Sequence, residues 1–141
     1  MAAFVDTNVF LYAFSSANSG DTAKAAVADQ LIERLIRSDA LALSIQVLNE
    51  FISVATKKGT PPLTLNQVTR IVDRLSRATV LSIDASLVQL ALQRVQQSRI
   101  SYWDALIVEA AIRSGATILY TEDMHHGTRY GALELRNPFL T

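Results

Sequence analysis

Four short apolar runs, Ala2–Val5, Ala40–Leu43, Thr79–Ile83 and Thr117–Tyr120, recur along the chain with helix-spaced segments between them. This alternation constrains the fold most, because strands joined by helical crossovers pair in parallel and need helices on both faces. The expectation is an α/β, three-layer fold around a central, mostly parallel sheet of about four or five strands. Thr7 to Phe14 reads as a short helix followed by the polar loop Ser15–Asp21. Thr22 to Arg37 has helical spacing, and Ser44 is placed to cap a helix reaching to about Lys57. After the break at Gly59-Thr60-Pro61-Pro62, Thr64 to Arg77 is amphipathic, and Asp84 caps the next helix. Ser101 opens a further helix ending at Ser114, with Gly115 in the C′ position. Leu133–Leu140 adds an edge strand before Pro138.

Nothing divides the chain. Its 141 residues contain no repeat or low-complexity segment, and half are hydrophobic, so one domain spanning residues 1–141 is expected. The absence of cysteine excludes disulfides, zinc–thiolate sites and thiol nucleophiles. Met1 to Ala17 is apolar but lacks a basic leader, and Asp6 interrupts it. Other apolar runs fall short of the ~20 residues that span a bilayer, so a cytoplasmic, soluble protein with no membrane association is expected. The 13 basic and 13 acidic residues balance. If four acids are drawn into a metal pocket, nine remain against those 13, which leaves an RNA-binding face admissible.

Four carboxylates resist a purely structural reading. On a helical wheel Glu109 and Arg113 fall about 140° and 180° from Asp104, which places them on the solvent face and Asp104 beside Val108 and Ala111 on the buried one. A buried carboxylate needs a partner or a metal, although one in a first turn also suits the helix dipole. Glu50 borders the apolar stripe of Val47, Leu48, Phe51, Ile52 and Ala55. Asp6 ends the first apolar run and Asp123 follows the fourth. In an open parallel sheet both lie at the carboxyl edge, where ligands bind. Carboxylates gathered there repel one another unless a cation is present. Hard oxygen donors without cysteine favour Mg²⁺ or Mn²⁺, which can activate water and neutralise a phosphodiester.

These residues also fall into motifs. Asp6-Thr7-Asn8, Glu50 within Leu48-Asn49-Glu50-Phe51, Tyr102-Trp103-Asp104-Ala105-Leu106-Ile107, and Leu119-Tyr120-Thr121-Glu122-Asp123-Met124 together resemble the PIN domain. More closely they resemble the VapC-type toxin ribonucleases of bacterial toxin–antitoxin pairs, in order and spacing from Ala2 to about Gly131. The resemblance implies a Mg²⁺- or Mn²⁺-dependent endoribonuclease with Asp6, Glu50, Asp104 and Asp123 as its metal-binding acids. It implies that Thr7, Asn8 and Thr121 orient carboxylates or water, and it leaves Glu122 as an acid behind Asp123. It also implies a homodimer, an RNA substrate and a cognate antitoxin whose inserted segment inhibits the site.

Other features carry less. Arg70, Arg74 and Arg77 share a helix side and form a candidate RNA-contact strip interrupted by Asp73. His125 and His126 read as a surface loop, since adjacent histidines diverge and lack further ligands. Tyr102 and Trp103 can stack on bases, but Trp103 before a buried helix is expected to pack. The alternative reading keeps the fold as a non-catalytic RNA- or protein-binding module. A phosphatase or receiver domain fits poorly, for Asn8 replaces the second aspartate of Asp-x-Asp and no lysine follows Lys58.

Overall fold

A computed structural model describes residues 2–15, 21–57 and 63–140. Local chemistry sets each helix start. Strand β1 (Ala3–Val5) ends at Asp6, whose carboxylate accepts from the Thr7 N–H and caps α1 (Thr7–Phe14). Asp21 caps α2 (Thr22–Arg37) through the Lys24 N–H, and Arg34 and Arg37 meet the negative end of its dipole. Ser44 closes β2 (Leu41–Ser44) and caps α3 (Ile45–Ala55). Helix α4 (Leu65–Leu75) opens with a reciprocal capping box between Thr64 and Gln67. After β3 (Thr79–Leu81), Asp84 caps α5 (Ala85–Ser98). Ser101 caps α6 (Tyr102–Arg113), and Gly115 leaves it at a φ of 80° that a side chain would strain. Strands β4 (Ile118–Tyr120), β5 (Arg129–Tyr130) and β6 (Leu133–Arg136) follow. The expected loop after α1 and the Gly59–Pro62 break lie largely outside the described residues.

The six strands lie in the order β3-β2-β1-β4-β6-β5. All pairings are parallel except β5 with β6. The sheet thus has one more strand than the upper expectation, because the two-residue β5 is too short to leave a pattern. Gly131, at a φ of 61° in the β5–β6 turn, is its one local signal. The tail segment is also not an edge. β6 stops at Arg136 and sits between β4 and β5, which takes the edge instead.

Every residue of β1 and β2 is buried, as strands covered by helices on both faces require. α1 packs on α2 and α3, and α5 packs on α6. Phe4, Phe10, Phe51, Leu43 and Leu119 are fully buried at the centre. No described helix is long and apolar enough to cross a membrane.

Candidate active site

β1, β2 and β4 are parallel, so the segments that follow them emerge at one edge. β1 delivers Asp6, Thr7 and Asn8; β4 delivers Thr121 and Asp123; Ser44 starts the helix that carries Glu50. There a cavity of about 410 Å³ is lined by Asp6, Glu50, Asp104 and Asp123 together with Thr7 and Asn8. All four acids singled out in the sequence therefore meet at one place.

Hydrogen bonds fix the arrangement. The Asp6 N–H donates to the Tyr120 carbonyl at 2.9 Å, tying β1 to β4. One Asp6 oxygen accepts from the Thr7 N–H at 2.7 Å, and the other accepts from the buried Thr121 hydroxyl at 3.0 Å. The Thr7 hydroxyl donates to Glu50 at 3.0 Å, and the Asn8 amide donates to Asp123. Thr7, Asn8 and Thr121 thus each donate to a carboxylate of the cavity. Burial, above all, pushes the Asp6 carboxyl up to about 6. The hydrogen bonds from Thr7 and Thr121 oppose that rise, and the charges of Glu50 and Asp123 add to it.

Among the described residues no three acidic or histidine side chains are drawn close enough to grip one ion. Instead Asp6, Glu50 and Asp123 are each engaged by a neighbouring donor. The donor set itself is hard oxygen throughout, which fits Mg²⁺ or Mn²⁺ and not a thiophilic metal. A cation there would offset the repulsion that Glu50 and Asp123 exert on Asp6. Because it needs Asp6 ionised, its affinity should fall about tenfold between pH 7.5 and pH 5, below the Asp6 value. Calorimetric titration with Mn²⁺ at the two pH values measures this, and equal affinities would remove Asp6 from the ligand set.

Several residues sit differently from the sequence-based expectation. Glu109, assigned to solvent, is buried, and its carboxylate pairs with Arg94 of α5 at 2.8 Å. Asp104, assigned to the buried face, is only half-buried at the cavity. The wheel placed charges outward by default and took no account of α5. Glu122 is not part of the cavity lining and accepts from Lys24 and the Tyr12 hydroxyl. Arg74 grips Glu33 through two bonds of 2.7 and 2.8 Å, Arg77 pairs with Asp73, and Arg70 is exposed. Arg74 and Arg77 flank Leu41 and Ala78, where β2 and β3 begin, the edge away from the acids. His125 and His126 are exposed. Sequence reasoning missed Gln46, Asn49 and Ser53, which line the cavity beside Glu50. Their spacing of three, four and seven residues on α3 was the available signal.

The fold and site define an α/β protein with acids gathered at the carboxyl edge of a mostly parallel sheet. The PIN domain family model matches residues 3–127, and the chain belongs to that family. Similar solved structures include VapC20 of Mycobacterium tuberculosis, a sarcin–ricin loop cleaving toxin, at 23% identity and a TM-score of 0.64 over 86% of this chain and 90% of that one. A toxin–antitoxin complex from Klebsiella pneumoniae matches at 20% identity and a TM-score of 0.69, over 97% and 98%. VapBC2 of Rickettsia felis, bound to a DNA fragment from its promoter, matches at 22% identity and a TM-score of 0.64, over 97% and 98%. These likenesses establish the shared fold. No curated protein matches the chain.

Proposed function

We propose that residues 1–141 form one metal-dependent endoribonuclease domain, the toxin of a type II toxin–antitoxin pair. The meeting of Asp6, Glu50, Asp104 and Asp123 in a single cavity carries this reading. These residues would hold Mg²⁺ or Mn²⁺. When bound, such an ion supplies a polarised water and offsets charge on the phosphodiester.

The chain's own residues do the rest. Thr7 and Thr121 fix the orientation of Asp6, Thr7 also sets Glu50, and Asn8 sets Asp123. Such preorganisation avoids reorganisation during the reaction. Water attacks phosphorus as the bond to the leaving ribose oxygen breaks; a cavity carboxylate takes the water's proton, and a solvent water protonates the leaving ribose oxygen. The toxin reading draws support from the similar structures, one a sarcin–ricin loop cleaving toxin and one a toxin–antitoxin complex. On that reading the partners are RNA, a cognate antitoxin and a second copy of the chain.

Cleavage of total cellular RNA by the purified protein tests this. Discrete fragments are expected with Mg²⁺ or Mn²⁺, none with EDTA, and roughly a hundredfold loss of rate in Asp104→Asn. Full activity in Asp104→Asn would overturn the assignment of the site.

A further inference from the structure

Trp103 is the one tryptophan of the chain, and the sequence places it where it should pack beneath α6. It does not pack. The side chain is 62% exposed, and among the described large apolar residues only Leu65 is more so. The Tyr102 ring stands edge-on to the indole at 5.3 Å, and the backbone carbonyl of Trp103 accepts from the Gln46 amide at 3.2 Å. Beside it lies a second cavity of about 300 Å³, lined by Gln46, Asn49, Glu50, Ile83 and Trp103. All of these except Ile83 also line the acidic cavity, so the two spaces adjoin across shared walls. Gln46 is 6% exposed, and its Oε1 is buried with no hydrogen-bond partner. Such an acceptor marks a place where a partner is missing.

We propose that Trp103, Ile83 and the amides of Gln46 and Asn49 form a seat for one unpaired nucleobase of the RNA, next to the acidic cavity where its phosphodiester is cut. This rests on the nuclease reading above and deepens it. A base offers a π-face to the indole and polar edges to the amides, and the seat's place beside the acidic cavity suits a strand that passes both. An apolar side chain from a protein would instead bury the amides and Glu50 without donors.

Fluorescence of the single tryptophan reports the seat directly. The full protein is titrated in EDTA, so that nothing is cut, with a short oligoadenylate and with an abasic ribose–phosphate oligomer of equal length. Oligoadenylate should quench Trp103 and the abasic oligomer should not. Calorimetric titration in the same EDTA buffer, which needs no fluorophore, should show Trp103→Ala binding oligoadenylate about tenfold more weakly and Trp103→Phe within about threefold of the parent, with both binding the abasic oligomer as the parent does. Equal binding of oligoadenylate by Trp103→Ala, or equal quenching by the abasic oligomer, overturns the proposal. So does a change of oligomeric state in Trp103→Ala by light scattering, which would assign the indole to a protein interface. Cleavage of total RNA in Mg²⁺ is scored separately. Base-dependent quenching without cleavage keeps the seat and removes the nuclease, whereas cleavage unchanged in Trp103→Ala removes the seat alone.

Discussion

Asp6→Asn should raise the melting temperature of the metal-free protein by about 5–8 °C at pH 7.5 while lowering RNA cleavage roughly a hundredfold. Burial raises the Asp6 carboxyl from 3.8 to about 6, so folding favours its protonated form. That contribution is fully present below about pH 4 and is lost as pH rises through about 6. Above that range the native state carries a buried charge costing on the order of 2–3 kcal/mol. Asparagine stays neutral throughout, and its amide can still accept from the Thr7 N–H and donate to the Thr121 hydroxyl. The advantage should therefore shrink to nothing near pH 4. Adding Mn²⁺ should reverse the order of stability at pH 7.5, because the ion stabilises only the form that binds it. Melting curves at pH 4 and 7.5, with and without Mn²⁺, measure all three effects. A variant no more stable than the parent at pH 7.5 would mean that the carboxylate is not under strain.

Arg94→Ala should be among the most destabilising single changes outside the central core. It strands the Glu109 carboxylate, whose side chain is 8% exposed, and removes the guanidinium lying 5.0 Å from the centre of the Tyr130 ring. Leaving a buried charge without its partner costs ~3–5 kcal/mol, and because Arg94 is itself partly exposed a loss of about 2–3 kcal/mol is expected. The melting point should fall by about 5–9 °C. Arg94→Met combined with Glu109→Leu should recover most of that loss, since apolar residues of similar size can replace such a pair. Failure of the double variant to recover would show that Arg94 acts through Tyr130 instead.

The parts of the fold readable in the sequence are those determined locally. Ser44, Thr64, Asp84 and Ser101 cap helices whatever lies elsewhere, and each does so here. The acidic site was readable because a parallel topology places the residues after β1 and β4 together without further information. What escaped depends on distant neighbours. Glu109 reads as a surface charge until α5 brings Arg94 to it. Trp103 reads as core until the helix is seen to turn it outward. β6 reads as an edge because Gly131 alone hints at β5 and nothing near it in the chain announces its pairing with β4. Gln46 was overlooked because its helical spacing with Asn49 and Ser53 is a pattern of uncharged polar residues that an ordinary solvent face also shows.

The position of β6 bears on the order in which a growing chain can become active. All four acids have been synthesised by residue 123, yet the Thr121 N–H is anchored to the Arg136 carbonyl at 2.9 Å, and β4 is flanked on that side only by β6. The strand that steadies the Thr121–Asp123 turn is therefore translated after every residue it supports. A nascent chain that has emerged only as far as the acids holds them on an unfinished sheet. On the nuclease reading, cutting would begin only once residues 133–136 have emerged and paired with β4.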